Sequence, residues 1–296
     1  MSTVRVSKWL QEKYPNLNQR QREEALDSEW VLYSSGKKAK KGDKVPINEQ
    51  LNCDKLEQHL ALLIKGDALA GVKIIKEENG FVVVDKPSGI ASHPISLFDT
   101  KTLTHWTRAH YPQIREEFPE AQPTLTPHRL DTGTSGIVII AKQMEFFVQG
   151  RERFKKKEVK KSYLAWCWGA PSAAEFVNEY SIAHAVGDSR KMVAVKGSAR
   201  YKTPVLEAYS SIKVLTRVKE RGIFLAQIDC STGVTHQVRV HLAILGFPLI
   251  GDKLYDPDWN QRTLHRPFHA LRAISLTWGE WSCSVPNEEF KGEFLN

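Results

Sequence analysis

The sequence predicts a protein of the α+β class, in which helices and strands occur in irregular order. Short apolar runs rich in β-branched residues, such as 81–84 and 137–140, indicate buried strands. Helical patterns separate these runs at irregular intervals, without the strict β-α-β alternation of a doubly wound sheet. The chain also lacks the sequences G-x-G-x-x-G and G-x-x-x-x-G-K-[ST], so neither a dinucleotide site nor a P-loop is predicted.

Size and composition narrow the functional classes. A chain of 296 residues suits one large domain or two, and 41% hydrophobic with 26% charged residues is typical of a soluble globular protein. The formal net charge of +8 predicts a polyanionic partner. Four separated cysteines with no C-x-x-C pair argue against a zinc ribbon or a disulfide framework, and favour a reducing cytoplasm. We find neither an apolar run of the roughly 18 residues that a membrane span needs nor a secretory signal at the start.

The first elements along the chain form a lysine-rich segment, residues 1–70. A helical repeat of apolar residues ends before Pro15, and Asn18 is a good N-cap for a second helix. Residues 30–44 predict a hairpin whose second strand, KKAKKGDK, has five lysines and one aspartate. The segment 51–64 fits either a linker or a short helix. The alternative is that the whole segment has no specific function and is a solvated basic cap on a larger domain.

From residue 71 onward, strands dominate. The predicted strands are 81–84, 137–140, 159–168 and 223–230, and the predicted helix is 143–157. The run RERFKKKEVKK, residues 151–161, has seven positive and two negative residues, so it could follow a phosphate backbone or simply be a solvated helix end.

One candidate reactive group is Asp131, which lies within TPHRLDTGTSGIVIIAK, residues 126–142. A Gly/Thr/Ser-rich turn that leads directly into a strand holds a polar side chain at a reproducible position. An aspartate at such a place also commonly caps the turn through its own side chain. From this segment alone, the two interpretations are equally good.

The second candidate segment is 231–256, where Thr235 is predicted to N-cap a helix that Gly246 ends. Arg239 lies one residue outside the predicted buried face of this helix. Taken alone, this position is more typical of a surface or structural arginine than of a catalytic one. His236 and His241 are five residues apart without a glutamate between them, which excludes H-E-x-x-H zinc chemistry.

Taken together, these segments resemble the RluA family of RNA pseudouridine synthases. The matching sequences are H-R-L-D-x-x-T-S-G followed by A-K (128–142), T-H-Q-V-R-V-H-L (235–242) and G-x-P-L-x-G-D-x-L-Y (246–255). V-V-D-K-P-S-G (83–89), K-S-Y-L-A (161–165) and H-A (269–270) also match, in the order that the family has them. His128 before Arg-Leu-Asp favours this family over the related small-subunit synthases.

The resemblance implies an α+β pseudouridine synthase fold with a central cleft in residues 71–296. It implies an isomerase that converts uridine in RNA to pseudouridine without a cofactor or metal, acting on ribosomal RNA or tRNA. Residues 1–70 would be an RNA-binding module of the type named after a small-subunit ribosomal protein, which we call S-four-like. We expect a cytoplasmic monomer with no obligatory protein partner.

The resemblance also assigns roles to single residues. Asp131 would be the essential carboxylate, Tyr163 would lie against the target ring, and Arg239 would pair with Asp131. Arg129 is our candidate to fill the stack that a flipped uridine leaves, although a phosphate contact or an ion pair would explain it too. The other predicted substrate-binding residues are His128, Leu130, Thr134 and Lys86.

The chain departs from the family pattern at three places. Val234 replaces the arginine of T-G-R-T-H-Q, Phe247 replaces a histidine, and residues 265–269 read H-R-P-F-H. The first change removes a charge near the RNA and puts substrate choice in doubt.

Two alternatives from other classes are a catalytically idle RNA-binding or ribosome-assembly factor, and a deaminase or glycosylase that acts on a flipped base. A zinc deaminase would need H-x-E and P-C-x-x-C, and the sequence has neither.

Overall fold

The computed structural model describes residues 2–64, 71–114, 118, 125–188 and 190–295. The α-helices of this part are α1 (Val6–Lys13), α2 (Gln19–Asp27), α3 (Asp54–Ile64), α4 (Leu103–His110), α5 (Met144–Lys155), α6 (Gln237–Ile244) and α7 (Glu288–Gly292). The strands are β1 (Thr3–Arg5), β2 (Lys44–Pro46), β3 (Lys73–Glu77), β4 (Phe81–Lys86), β5 (Ser135–Ala141), β6 (Lys160–Trp168), β7 (Glu175–Asn178), β8 (Ile182–Ala185), β9 (Met192–Ala194), β10 (Tyr201–Leu206), β11 (Ser210–Val218), β12 (Ile223–Cys230), β13 (Leu271–Trp278) and β14 (Trp281–Ser284).

The N-terminal segment has a hydrophobic core of its own. Helices α1 and α2 form as predicted, and Asn18 caps α2 in a capping box with Gln21, in which each side chain bonds the other's backbone. The predicted hairpin is only a turn with a single bridge between Leu32 and Lys38, and Leu32 also forms a bridge with Asn52. The segment 51–64 contains helix α3 and is therefore not simply a linker. The buried residues are Val6, Trp9, Leu10, Ala25, Leu26, Val31, Ala39, Val45, Leu51, Cys53, Leu56 and Leu97.

One residue of this core, Leu97, comes from beyond residue 71. Its neighbours also contact the N-terminal segment, since Glu24 Oε2 accepts hydrogen bonds from Ser96 Oγ and Leu97 N, both at 2.8 Å. Asn18 Nδ2 donates to the carbonyl oxygen of Ile95 at 2.9 Å. The predicted domain boundary at residue 70 falls at 65–70, outside the described residues.

A nine-stranded sheet forms the rest of the scaffold, in the order β3-β4-β5-β13-β6-β12-β11-β7, with β14 paired to β13. Its described strand pairs are antiparallel except for β5 and β13, which run parallel at Arg272–Ser135 and Ala273–Gly136. A Cβ at Gly136 would lie 1.9 Å from the carbonyl oxygen of Ala273, so this close approach requires glycine. The mixed, largely antiparallel sheet confirms the predicted α+β class.

The four predicted strands correspond to β4, β5, β6 and β12, and the predicted helix corresponds to α5. In β5, residues 136–141 are all buried, and residues 137–141 belong to a hydrophobic cluster that also contains Leu103 and Trp106 of α4. The order of the sheet places β5, which follows Asp131, and β6, which carries Tyr163, on the two sides of β13. Two distant parts of the sequence thus meet at one end of the sheet.

A second sheet of three short strands, in the order β10-β8-β9, was not predicted. It packs against α6 through a small buried cluster that includes Ile182, Met192, Ala194 and Val240. Every residue of β10 is exposed, so its sequence has little of the alternation that marks a half-buried strand. Among the described residues, no helix is both long and apolar enough to cross a bilayer.

Candidate active site

Asp131 lies in a tight turn just before β5. The backbone N–H of Thr134 donates to the carbonyl oxygen of Asp131 at 3.0 Å and closes the turn. On the other side, the Ser92 hydroxyl donates to the Leu130 carbonyl at 2.9 Å and accepts from the Leu130 N–H at 3.1 Å. The turn is therefore fixed at both ends, as a site on a rigid scaffold requires.

Lys86 supports the same turn from below. Its buried ammonium donates to three carbonyl oxygens, those of Ile90 at 2.7 Å, Pro87 at 3.1 Å and Thr132 at 3.4 Å. Burial lowers the pKa of Lys86 to about 7, although the charge of Asp131 acts against this shift. Lys86 does not line the cavity described below, and a direct contact with substrate stays a prediction.

Helix α6 supplies Arg239, but it does not begin as predicted. His236, not Thr235, is the N-cap residue, and it has a left-handed backbone with φ of 58°. This conformation is uncommon for a residue with a Cβ, and such residues concentrate at functional sites. Instead of a hydroxyl cap, the Gln237 side chain accepts from the Val234 N–H at 3.1 Å and from the Thr232 hydroxyl at 2.9 Å.

Arg239 contacts two carboxylates at once. Its Nη1 donates to Asp131 Oδ2 at 3.0 Å, across 108 residues of sequence. Its Nε and Nη2 form a bidentate pair with Asp252, with both distances at 2.8 Å. Asp252 was missed as a site residue, although it is the aspartate of the G-D-x-L-Y motif, and its position after a Gly turn was the available signal. The pair holds the guanidinium plane and so aims its remaining N–H groups at Asp131.

His236 is a second neighbour of the Asp131 carboxylate. Its Nε2 lies 3.6 Å from Asp131 Oδ2, and its Nδ1 lies 2.7 Å from the Tyr255 hydroxyl. That hydroxyl accepts from the Met192 N–H at 2.9 Å, which leaves its own proton to donate to His236 Nδ1. The proton of the neutral ring is then on Nε2, on the side of Asp131. A chain of hydrogen bonds thus connects β9 with His236, whose Nε2 faces the candidate carboxylate at 3.6 Å, beyond hydrogen-bonding distance.

The charges of the site keep Asp131 ionised. Burial raises the pKa of the Asp131 carboxyl, but His236, Arg239 and His269 oppose it and hold the pKa below its usual value. Burial lowers the pKa of His236 and lowers that of His269 to about 4, so both rings are neutral near pH 7. The Arg239 guanidinium is therefore the permanent positive charge beside the carboxylate.

The cavity above Asp131 has a volume of about 320 Å³, which is within the range of small-molecule sites. The structure brings seven of the eight predicted site residues to its wall: Asp131, Tyr163, Arg239, His128, Arg129, Leu130 and Thr134. Other residues of the wall were not predicted as site residues, and those used below are Arg151, Phe154, Lys161, Cys230, Gly233 and His236.

Tyr163 reaches the cavity from β6. Its side chain packs between two hydrophobic clusters, and burial raises the pKa of its hydroxyl, with Cys230 and Asp131 adding to the shift. Within the described part of the chain, the hydroxyl has no hydrogen-bond partner, so it can bond a ligand in the cavity. The aromatic face and the free hydroxyl together suit a planar, polar ring.

The residues before Asp131 differ in exposure. Arg129 is exposed at the rim, with Nη1 3.2 Å from His93 Nε2. His128 stacks on Phe154 at a ring distance of 4.6 Å and accepts from the Ile139 N–H at 3.0 Å. Burial lowers the pKa of His128 to about 3, with Lys161 as a further cause.

Thr134 and Val234 complete the wall. The Thr134 hydroxyl bonds His269 Nε2 at 2.8 Å, so Thr134 has a partner within the protein already. Val234 stands where the resembled family has arginine, and here it packs against the cluster beneath the three-stranded sheet. Among the described residues, no group of three or more histidine, cysteine, aspartate or glutamate side chains could hold a metal ion.

A carboxylate–arginine pair beneath a nucleotide-sized cavity with a cationic rim defines an enzyme that acts on one unit of a polyanionic chain. The chain belongs to the RNA pseudouridylate synthase family, whose model matches residues 80–244. The match contains Asp131, Tyr163 and Arg239. The protein is thus an isomerase that acts on RNA, and the enzyme is favoured over the idle RNA-binding factor.

Relatives that are named as pseudouridine synthases agree with this assignment. A protein of Synechocystis sp. called an uncharacterized RNA pseudouridine synthase is 28% identical over 93% of this chain and 81% of its own length. YhcT of Bacillus subtilis, another uncharacterized RNA pseudouridine synthase, is 31% identical over 76% of this chain and 70% of its own. The ribosomal large subunit pseudouridine synthase D of Nitrosomonas europaea is 30% identical, over 69% and 57% respectively.

Two solved human structures have the same fold. RNA pseudouridylate synthase domain containing 4 superposes with a TM-score of 0.57 at 24% identity, over 80% of this chain and 95% of that one. RNA pseudouridylate synthase domain containing 1 superposes with a TM-score of 0.58 at 22% identity, over 73% and 82%. These likenesses confirm the predicted pseudouridine synthase fold.

Proposed function

We propose that the protein isomerises one or more uridines of ribosomal RNA to pseudouridine, with Asp131 as the essential carboxylate. The single observation that carries the role of Asp131 is its ion pair with Arg239, at 3.0 Å on the floor of the cavity. Ribosomal RNA is favoured over tRNA because relatives from Nitrosomonas, Rickettsia and Yersinia are named ribosomal large subunit pseudouridine synthases.

In this reaction the uracil leaves the ribose through N1, turns, and rejoins it through C5, which loses its hydrogen. Asp131 stays ionised beside Arg239 and is free to attack the sugar, attack the base or take a proton from the neighbouring ribose carbon. Tyr163 lies against the uracil ring and holds it in the cavity during the turn. The cavity wall thus retains the base, whereas a glycosylase releases it.

A uridine within RNA structure reaches this floor only when it is flipped out of its stack. Arg129 is placed for the vacated position, since it is exposed at the rim two residues from Asp131. Its planar guanidinium can stack on the bases that remain. His128 and Leu130 shape the wall on either side of it.

Residues 1–70 act in this proposal as an S-four-like RNA-binding module. Two observations support it, the hydrophobic core that the segment forms together with Leu97 and the lysine-rich turn at 37–44. The proposal also has the enzyme work in the cytoplasm, where ribosomal RNA is assembled, as a monomer without an obligatory protein partner.

The test is release of tritium from RNA labelled at uridine C5, with ribosomal RNA and tRNA pools assayed separately and free uracil measured alongside. We expect release from ribosomal RNA by the wild type and none above background by Asp131→Asn, which keeps the shape of the side chain. Asp188→Asn, which changes a carboxylate that is not in the described cavity wall and pairs with Arg190, should retain full activity.

Three results would overturn parts of the proposal. Release by Asp131→Asn at the wild-type rate would remove the carboxylate from its role. Tritium release from tRNA alone would show that tRNA, and not ribosomal RNA, is the substrate. Free uracil in place of tritium would make the protein a glycosylase.

A further inference from the structure

A buried lysine without an anionic partner lies on the cavity wall. Lys161 precedes Tyr163 by two residues on β6, so both side chains are on the same face of the strand. Only 7% of Lys161 is exposed. Its Nζ lies 5.9 Å from the centre of the Phe154 ring and 3.1 Å from the place where a Cβ on Gly233 would be. Phe154 and Gly233 both line the cavity.

Within the described part of the chain, the ammonium of Lys161 has no carboxylate beside it. Among the described residues, neither an ion pair nor a hydrogen bond involves its Nζ. Burial lowers the pKa of Lys161, and the neighbouring Cys230 is the one group that acts in the opposite direction. The buried Lys86, in contrast, satisfies its Nζ with three carbonyl oxygens. A buried charge without a partner is costly, and such a group is expected to gain one when a ligand binds.

We propose that Lys161 binds a phosphate of the RNA backbone adjacent to the target uridine. An anion is required to compensate the buried charge, and phosphate is the anion that every nucleotide of the substrate carries. Uracil offers neutral carbonyl oxygens, which would leave the charge uncompensated. This inference rests on the proposed function, because it assumes that the base lies against Tyr163.

The geometry of the strand supports a phosphate at this distance from the base. Successive residues on one face of a strand are separated by roughly 6.6 Å. A nucleotide whose ring contacts Tyr163 therefore extends its sugar and phosphate to the level of Lys161. Gly233 leaves the space beside the ammonium open, since an alanine there would meet Nζ at 3.1 Å. The phosphate is thus selected inside the cavity, in addition to any contacts along the outer surface.

The first test measures binding of uridine, uridine 3′-monophosphate and uridine 5′-monophosphate by equilibrium dialysis. It requires no turnover and no knowledge of the target site. We expect the wild type to bind one of the monophosphates roughly tenfold to a hundredfold more tightly than uridine, as for a hydrogen bond between charged groups. Lys161→Met should bind all three equally. Lys160→Met removes the neighbouring, exposed lysine of the same strand and should retain the wild-type preference.

The second test uses a short RNA that carries the target uridine, with an uncharged methylphosphonate at one flanking linkage. The neutral linkage should weaken binding by the wild type but have no further effect on Lys161→Met, whereas for Lys160→Met the loss should equal that of the wild type. Gly233→Ala, which crowds the ammonium without removing it, should give an intermediate loss. Circular dichroism verifies that each variant is folded.

The phosphate site would be overturned if, at both flanking positions, the neutral linkage weakened RNA binding by Lys161→Met as much as it weakens RNA binding by the wild type. A Lys161→Met effect confined to kcat, equal for all linkages, would assign the lysine to the uracil and overturn it as well. Failure of the proposed function is distinguishable, because it removes tritium release by the wild type on unmodified RNA. The dialysis experiment does not depend on that release.

Discussion

Arg239 donates two hydrogen bonds to Asp252 and one to Asp131. The two carboxylates therefore have different roles. Asp252 is almost fully buried, at 1% exposure, and also accepts from the N–H groups of Leu254 and Tyr255. The side chain of Asp131 is 20% exposed and opens to the cavity. Asp252 therefore holds the arginine in place, while Asp131 remains available to the substrate.

Asp252→Asn should reduce kcat strongly while Asp131 itself is intact. The amide provides one acceptor instead of two, so the guanidinium can rotate away from Asp131, and a misplacement of this kind lowers the rate roughly a hundredfold. Tritium release measures the effect. The matched control is Asp256→Asn, because Asp256 is also buried and bonds Arg262 with two oxygens at 3.0 and 3.1 Å. If both variants lose equal activity, the Asp252 effect is one of general stability.

Arg129→Ala should impair structured substrates more than a short single strand that contains the same uridine. An unstacked base needs no side chain to fill its place, whereas a base in a helix leaves a gap that costs a few kcal/mol. The comparison is kcat/KM for the two substrates. Arg151→Ala removes another exposed cation of the rim and should weaken both substrates alike. Equal losses for Arg129→Ala would remove its flipping role.

The folded protein should lose stability as the pH falls below about 6.5, partly through His128. The pKa of His128 is lowered to about 3 in the fold, so between these values only the unfolded state binds the proton. Each pH unit in this window lowers the free energy of unfolding by up to ~1.4 kcal/mol per such histidine. Urea unfolding at several pH values should show a shallower dependence for His128→Gln, which keeps an acceptor for the Ile139 N–H.

The matched control for this pH dependence is His184→Gln, which removes an imidazole that is exposed in the folded chain. It should reproduce the wild-type slope. A wild-type slope in His128→Gln as well would show that the ring accepts a proton without disturbing its contacts with Ile139 and Phe154.

Glu24→Ala should destabilise the contact between the N-terminal segment and the segment around Leu97. The change leaves the Leu97 N–H and the Ser96 hydroxyl without their acceptor, at a cost of about 1–3 kcal/mol for a buried donor. Because Ser92 of the same segment holds Leu130, activity on ribosomal RNA should also decrease. Glu23→Ala, which changes the neighbouring exposed carboxylate, should alter neither the urea midpoint nor the activity. A decrease in activity for both variants would point to loss of charge and not of this contact.

The class of fold and the principal strands could be predicted from the sequence, whereas the roles of Asp131, Tyr163 and Arg239 stay predictions that rest on the resemblance. Strands β4, β5, β6 and β12 each contain a run of apolar residues, at 81–84, 137–140, 164–168 and 223–226, and a run of this kind is a local signal. Asp131 and Arg239 were identified only through the resemblance, because several motifs match in the order that the family has them, whereas each segment alone also allows a structural role. The capping box at Asn18 was likewise readable, since it depends on residues three positions apart.

How these parts act on one another depends on the tertiary structure. Arg239 pairs with Asp131 because the fold brings these two residues, 108 positions apart in the sequence, into contact. The sequence around either residue does not predict this contact. The same holds for Thr134 and His269, 135 positions apart, and for the left-handed His236 that displaced the predicted Thr235 cap. Burial converts an ordinary lysine in a common motif into an uncompensated charge at Lys161. Such properties belong to the environment of a residue, and its local sequence does not encode that environment.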